Sequence, residues 1–150
     1  MRGKLPMILI RAIVGLVFLT EGILKFLRPD EFGAGRFAAI GLPHPQILAP
    51  AVGGIEILGA VAVLLNLYAG DAAILLLVVI LTALITTKAP ILLGHSLGPL
   101  TLVKLPRYGF LPFLHEARTD LCMIFCTLAI LIDTGQRIGR KRPWYQSRQL

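Results

Sequence analysis

Four long apolar runs, at about residues 5–27, 47–68, 71–93 and 115–134, take up most of this chain. Each is near the ~20 residues that a helix rising ~1.5 Å per residue needs to cross a ~30 Å hydrocarbon core. Inside lipid every backbone N–H and C=O must find a partner without water, so only helices and closed barrels span. Barrel strands show alternating segments of about 10 residues, and these runs do not alternate. The runs therefore predict an all-α integral membrane four-helix bundle. Composition agrees: 15% of the residues are charged, against about 25% in soluble domains, and the mean hydropathy is +0.80. Four spans leave no room for a soluble domain in 150 residues. Residues 1–150 read as one membrane domain, with a basic tail at 135–150.

The first run follows Arg2 and Lys4, as a secretory signal would. Arg11, Glu21 and Lys25 interrupt it and no small-x-small site follows, so it reads as a retained span. Positive charge gathers at Arg2 and Lys4 and again at Arg137, Arg140, Lys141, Arg142 and Arg148, part of a formal net charge of +7. An even number of spans puts both termini on one side, and the positive-inside rule predicts the cytoplasm. Arg28, Arg36, Lys104 and Arg107 lie in the opposite loops and weigh against this. Beside a span, a basic tail serves topology and anionic lipid rather than nucleic acid. In the first loop, Asp30-Glu31, the apolar Phe32, Phe37 and Ile40, and the Gly41-Leu42-Pro43 stop predict a short interfacial helix. Pro99, Pro106 and Pro112 prevent residues 94–114 from forming one continuous helix; that segment would lie along the interface or fold back as a lid.

The spans carry ionisable residues, which are rare in membranes and call for named partners. Glu56 sits near the middle of the second run. With both termini cytoplasmic, Glu21, Lys88 and Asp120 each fall about 7 to 9 Å outward of their helix midpoints at 1.5 Å per residue. Lys25, Glu116 and Arg118 lie further out at the same end. These four acids and three bases nearly balance, leaving one carboxyl over. Glu21 and Lys25 stand at i, i+4, the favourable order for an ion pair. Ala49, Gly53, Glu56 and Ala60 share one stripe with Gly59 beside it, and small residues let a neighbouring helix approach closely. The Glu56 face is thus predicted to be packed. In the fourth run the stripe of Glu116, Asp120, Met123 and Thr127 lies nearly opposite that of Arg118, Cys122 and Asp133. Asp120 is the one assigned to the bundle centre, because Arg118 can snorkel to the interface.

Other patterns have plainer explanations. Gly33-Ala-Gly35-Arg-Phe-Ala38 has the form G-x-G-x-x-A, but no strand precedes it to make a dinucleotide fold. Cys122 and Cys126, four apart on a helix, have Cβ atoms about 5–6 Å apart and cannot bridge each other. His44, His95 and His115 fall in separate segments without metal-ligand spacing, so no metal or intrinsic cofactor is expected. For the charged cluster two readings stand: a polar network that only holds the helices together, and one that also binds a ligand, proton or partner.

Arg11, Gly15-Leu-Val-Phe18, Glu21-Gly22, Lys25, Gly41-Leu42-Pro43, Glu56-Ile-Leu-Gly59, Leu-Tyr-Ala-Gly70-Asp71-Ala72-Ala73 and Thr119-Asp120-Leu, in this order and spacing, resemble the DoxX family of small bacterial four-helix membrane proteins. The resemblance covers about residues 8–134. It implies a multi-pass protein of the bacterial inner membrane, associated with thiosulfate:quinone oxidoreductase or with complexes handling thiol and oxidative stress. Arg11, Glu21, Lys25 and Glu56 correspond to the family's intramembrane polar positions. Quinone is the redox partner this implies, together with a partner redox subunit or a second copy of the chain. On this reading Glu56 and Glu21 are the candidate catalytic groups, and Lys25, Lys88, Asp120, Arg118 and Arg11 the candidate substrate-binding ones. A small-solute or proton carrier and a non-catalytic scaffold are the alternatives.

Overall fold

The computed structural model describes residues 5–140, with side chains as far as Gly135. Arg2, Lys4, Lys141, Arg142 and Arg148 lie outside the described residues. Six helices follow in chain order: α1 (Leu5–Leu27), α2 (Pro29–Phe32), α3 (Ala34–Ala39), α4 (Pro45–Leu65), α5 (Ala69–Leu93) and α6 (Phe110–Arg140). The four long ones form an antiparallel bundle in which α1 packs on α4, α4 on α5, α5 on α6 and α6 back on α1. Both long connections lie at one end, hereafter the loop end. The tight α4–α5 turn lies at the other, with Asn66 and Tyr68 both in the left-handed region (φ 57° and 47°).

Three of these helices, α1, α4 and α5, are long and apolar enough to cross a membrane by length and composition. The fourth expected span behaves differently. At 31 residues, α6 extends about 46 Å, but its uninterrupted apolar stretch is only Leu121–Ile132, between Asp120 and Asp133. Its polar residues are met from within the bundle: Asp133 by Arg11 of α1, and Glu116 by Lys88 of α5. The helix also starts earlier than expected. Pro112 falls in its first turn, where an N–H has no intrahelical acceptor to lose, while Phe113 N–H already donates to Gly109 O at 3.0 Å. At its other end α6 runs on to Arg140, so the first residues of the expected tail are helical.

The single interfacial helix expected in the first loop is two short pieces, α2 and α3. Gly33 separates them because it passes against the end of α1: a Cβ there would stand 2.6 Å from Lys25 O. At the far side Gly41, at φ 83°, turns the chain toward α4. The second long connection folds back onto the first, with Thr101 N–H donating to Ile40 O at 3.2 Å.

Apolar side chains fill the middle of the bundle: Val14 and Phe18 of α1, Ala60 and Val63 of α4, Ala73 and Leu76 of α5, Met123 and Ile130 of α6. The predicted stripe of α4 is the buried one, including Ala49, Gly53, Glu56, Gly59 and Ala60. Its contact with α1 is glycine on glycine. A Cβ at Gly22 would meet Gly53 O and Ile57 Cγ1, each at 2.8 Å, whereas one at Gly54 would meet nothing within 4 Å. Gly22→Leu is therefore expected to lower stability by about 1–3 kcal/mol through overpacking, and Gly54→Ala to change it by less than about 0.5 kcal/mol. Unfolding of the purified variants in detergent measures both; equal effects would refute the assignment of the close contact.

Candidate functional site

The α1–α4 contact sets the geometry of the site. A Cβ on Gly53 would lie 3.3 Å from Lys25 Cβ, and one on Gly22 would lie 3.1 Å from Glu56 Cβ. The two ionisable residues thus leave their helices at the point of closest approach. Helical Cα–Cβ bonds tilt toward the N-terminus of their own helix. In antiparallel neighbours this aims Lys25 down into the bundle and Glu56 up toward the loop end. They meet: Lys25 Nζ stands 2.7 Å from Glu56 Oε2, with side chains only 8% and 6% exposed. The contact is a close ion pair. Lys25, two residues from the end of α1, does not snorkel outward; the carboxylate below holds it in.

Glu21, one turn before Lys25 on α1, completes the cluster. Its Oε2 lies 3.9 Å from Lys25 Nζ, and its backbone carbonyl accepts from the same ammonium at 3.4 Å. Its side chain is 47% exposed. Three ionisable groups thereby run from a half-exposed carboxylate through a buried ammonium to a buried carboxylate.

A second pair, Lys88 with Glu116 at 3.6 Å, joins α5 to α6 at the same end. Asp120 is half-buried on the predicted inward stripe of α6, beside the buried Ala117, Met123 and Thr127. Its electrostatic neighbours are Lys88, Arg36 and Glu21, and no ion pair to it forms among the described residues. Lys88, Asp120, Glu21 and Lys25 with Glu56 are therefore all at the loop end. Arg118 is not among them: it is exposed, its Nη1 donating to His115 O. Nor is Arg11, which lies about 21 Å from Lys25 along α1 and binds Asp133 Oδ2 at 3.0 Å. That contact puts Asp133 within reach of α1, although helical periodicity assigns it to the stripe opposite Asp120; the long arginine side chain closes the gap.

Arg36 is the residue that sequence reasoning passed over. It was read only as a loop charge opposing the predicted topology, but α3 carries it to within electrostatic range of Asp120. The usable signal was the Gly33 break and the Gly41 turn, which together fold α3 back over the loop end. Among the described residues no group of three His, Cys, Asp or Glu side chains is arranged as a metal site. Cys122 is exposed and Cys126 half-buried, both as free thiols.

The sequence matches the DoxX family profile over residues 7–89, more than half of the chain. The chain belongs to the DoxX family. A membrane protein of Mycobacterium tuberculosis, Rv3486, described as uncharacterized, is 41% identical over 130 residues, covering 86% of this chain and 75% of that protein. No solved structure matches. The DoxX match takes in Arg11, Glu21, Lys25, Arg36, Glu56 and Lys88, while Glu116 and Asp120 lie beyond it.

Removing one member of a buried pair leaves the other charge unpaired, at a cost of about 3–5 kcal/mol, whereas replacing both with apolar groups of similar size is near neutral or favourable. Lys25→Met and Glu56→Leu are each expected to destabilise this DoxX protein strongly, and the double variant to recover most of the loss. A double-mutant cycle from unfolding in detergent tests this; additive losses would mean that the two side chains do not interact.

Proposed function

We propose that this protein is the membrane subunit of a quinone-linked oxidoreductase of the bacterial inner membrane, and that the loop-end cluster handles the protons and the anionic donor. The observation that carries the reading is the continuous line from half-exposed Glu21 through Lys25 Nζ to Glu56 Oε2. A quinone taking two electrons also takes two protons, and a donor such as thiosulfate or a thiol supplies the electrons. The groups of this chain match the proton half of that reaction. Glu21 and Glu56 flank the Lys25 ammonium, which holds a proton between the two carboxylates, and Glu56 passes it into the apolar interior. Lys88 and Arg36, both electrostatic neighbours of half-buried Asp120, supply positive charge for an anionic donor. A partner redox subunit or a second copy of the chain would carry the electrons. The basic flanks favour both termini in the cytoplasm, which puts the loop end outside.

An open conduit for a solute or proton fits less well. The loop-end cluster and the Arg11–Asp133 pair are separated by the apolar layer of Val14, Phe18, Ala60, Leu76 and Met123, and no charged residue bridges it among the described ones. A scaffold without catalytic role would use the same ion pairs only for packing.

Thiosulfate-dependent quinone reduction in membranes with and without this chain tests the proposal. The rate is expected to require the chain, and Glu56→Gln, which keeps size but removes the acid, to lower it by about 10²-fold, the scale of general acid–base contributions. Equal rates with and without the chain would refute the redox reading. Activity kept by Glu56→Gln in an intact complex would reduce the cluster to a structural role.

A further inference from the structure

A second feature lies at the loop end, outside the Lys25–Glu56 cluster. Where the α5–α6 connection returns to the bundle, a cleft of about 670 Å³ opens between Arg107, Tyr108, Phe110, Leu111 and the first turns of α6 at His115 and Glu116. Its outer wall is held in shape by the chain itself. Tyr108 Oη accepts from Leu105 N–H and donates to Val103 O, both at 3.2 Å, closing a compact loop around Pro106. Gly109 N–H donates to Ile91 O at 3.0 Å and ties that loop to the end of α5. Arg107, between Pro106 and Tyr108, is thereby presented at the rim.

The wall divides by chemistry. Arg107 and His115 are exposed and have no ion-pair partner among the described residues. Glu116, the acid in the wall, is already engaged by Lys88 at 3.6 Å, so the unmatched charge in the cleft is positive. Phe110 and Leu111, 63% and 76% exposed, stand beside it. The cleft opens at the level where α5 ends and α6 begins, which in a bilayer is the interface between headgroups and acyl chains. Few ligands are anionic at one end, apolar at the other and present at that depth.

We propose that this cleft binds an anionic phospholipid, with its phosphate against Arg107 and His115 and its acyl chains over Phe110 and Leu111. The guanidinium fork matches two phosphate oxygens, and the imidazole donates an N–H in either protonation state. Tyr108 has the amphipathic character found at membrane interfaces. The site is independent of the proposed redox function: it needs only the chain and a bilayer.

The test reads the lipid at the cleft itself. Leu111→Trp in a Trp144→Phe background, which removes the chain's own tryptophan, puts the sole tryptophan beside the cleft. The full chain is reconstituted in phosphatidylcholine bilayers containing brominated phosphatidylglycerol or, separately, brominated phosphatidylcholine at equal mole fraction. Phosphatidylglycerol is expected to quench with an apparent affinity about fivefold higher, the effect of about one cationic side chain at a phosphate. Arg107→Gln should abolish most of that preference and His115→Gln part of it. Arg28→Gln, which removes an exposed cation of the first loop, should leave it intact. Equal quenching by the two lipids, or a preference that survives the Arg107→Gln/His115→Gln double variant, would overturn the proposal. Displacement of phosphatidylglycerol by millimolar inorganic phosphate would overturn the lipid assignment in favour of a soluble anion.

Discussion

An ammonium and a carboxylate pressed together between two apolar helices are stable only while they face each other, and most of the loop end of this bundle is arranged around that requirement. The Lys25–Glu56 pair needs α1 and α4 in close contact, which needs glycine at 22 and 53. The antiparallel direction of the two helices then does the aiming, because each side chain leaves its backbone toward its own N-terminus. The desolvation cost of the two charges falls on the same contact that packing strengthens. Opening α1 from α4 would expose both glycines to lipid and strand two charges at once, so the helix contact and the ion pair reinforce each other.

Charge is distributed along the bundle in two layers with an apolar band between them. One layer, at the loop end, holds Glu21, Lys25, Glu56, Lys88, Glu116 and Asp120; toward the other end Arg11 pairs with Asp133. The Arg11–Asp133 pair joins α1 to α6 and so closes the ring of helices. The loop-end layer has more groups than closure requires. It includes a half-exposed carboxylate, Glu21, and a half-buried one, Asp120, that has positive neighbours and no direct ion-pair partner among the described residues.

The two long connections belong to this arrangement. Each contains a turn that only glycine makes easily, Gly41 at φ 83° before α4 and Gly94 at φ 74° after α5, and the two are joined by the Thr101–Ile40 hydrogen bond. One carries Arg36 toward Asp120, and the other carries Arg107 to the interfacial cleft. The loop end therefore presents two separate basic features, one beside Asp120 and one at the cleft.

Length and hydropathy alone determined that this chain is a helical membrane protein, because an apolar run of about 20 residues has no other way to satisfy its backbone in lipid. Periodicity also placed Glu56 on the packed face and Asp120 on the inward one, since small residues at steps of three and four mark where helices touch. The i, i+4 relation of Glu21 and Lys25 was likewise readable from local geometry. Partner choice was not. Whether Lys25 snorkels or turns inward, which acid meets Lys88, and whether Arg11 belongs to the cluster all depend on which helices are neighbours and at what height, and one chain read in order contains neither. The neighbours of Arg36 and Asp133 were out of reach for the same reason: a long side chain or a folded-back loop moves charge farther than a face on a helical wheel allows. The sequence determined the elements and their buried faces, and tertiary structure decided which charges meet, because ion pairing depends on distances across helices that no spacing along the chain encodes.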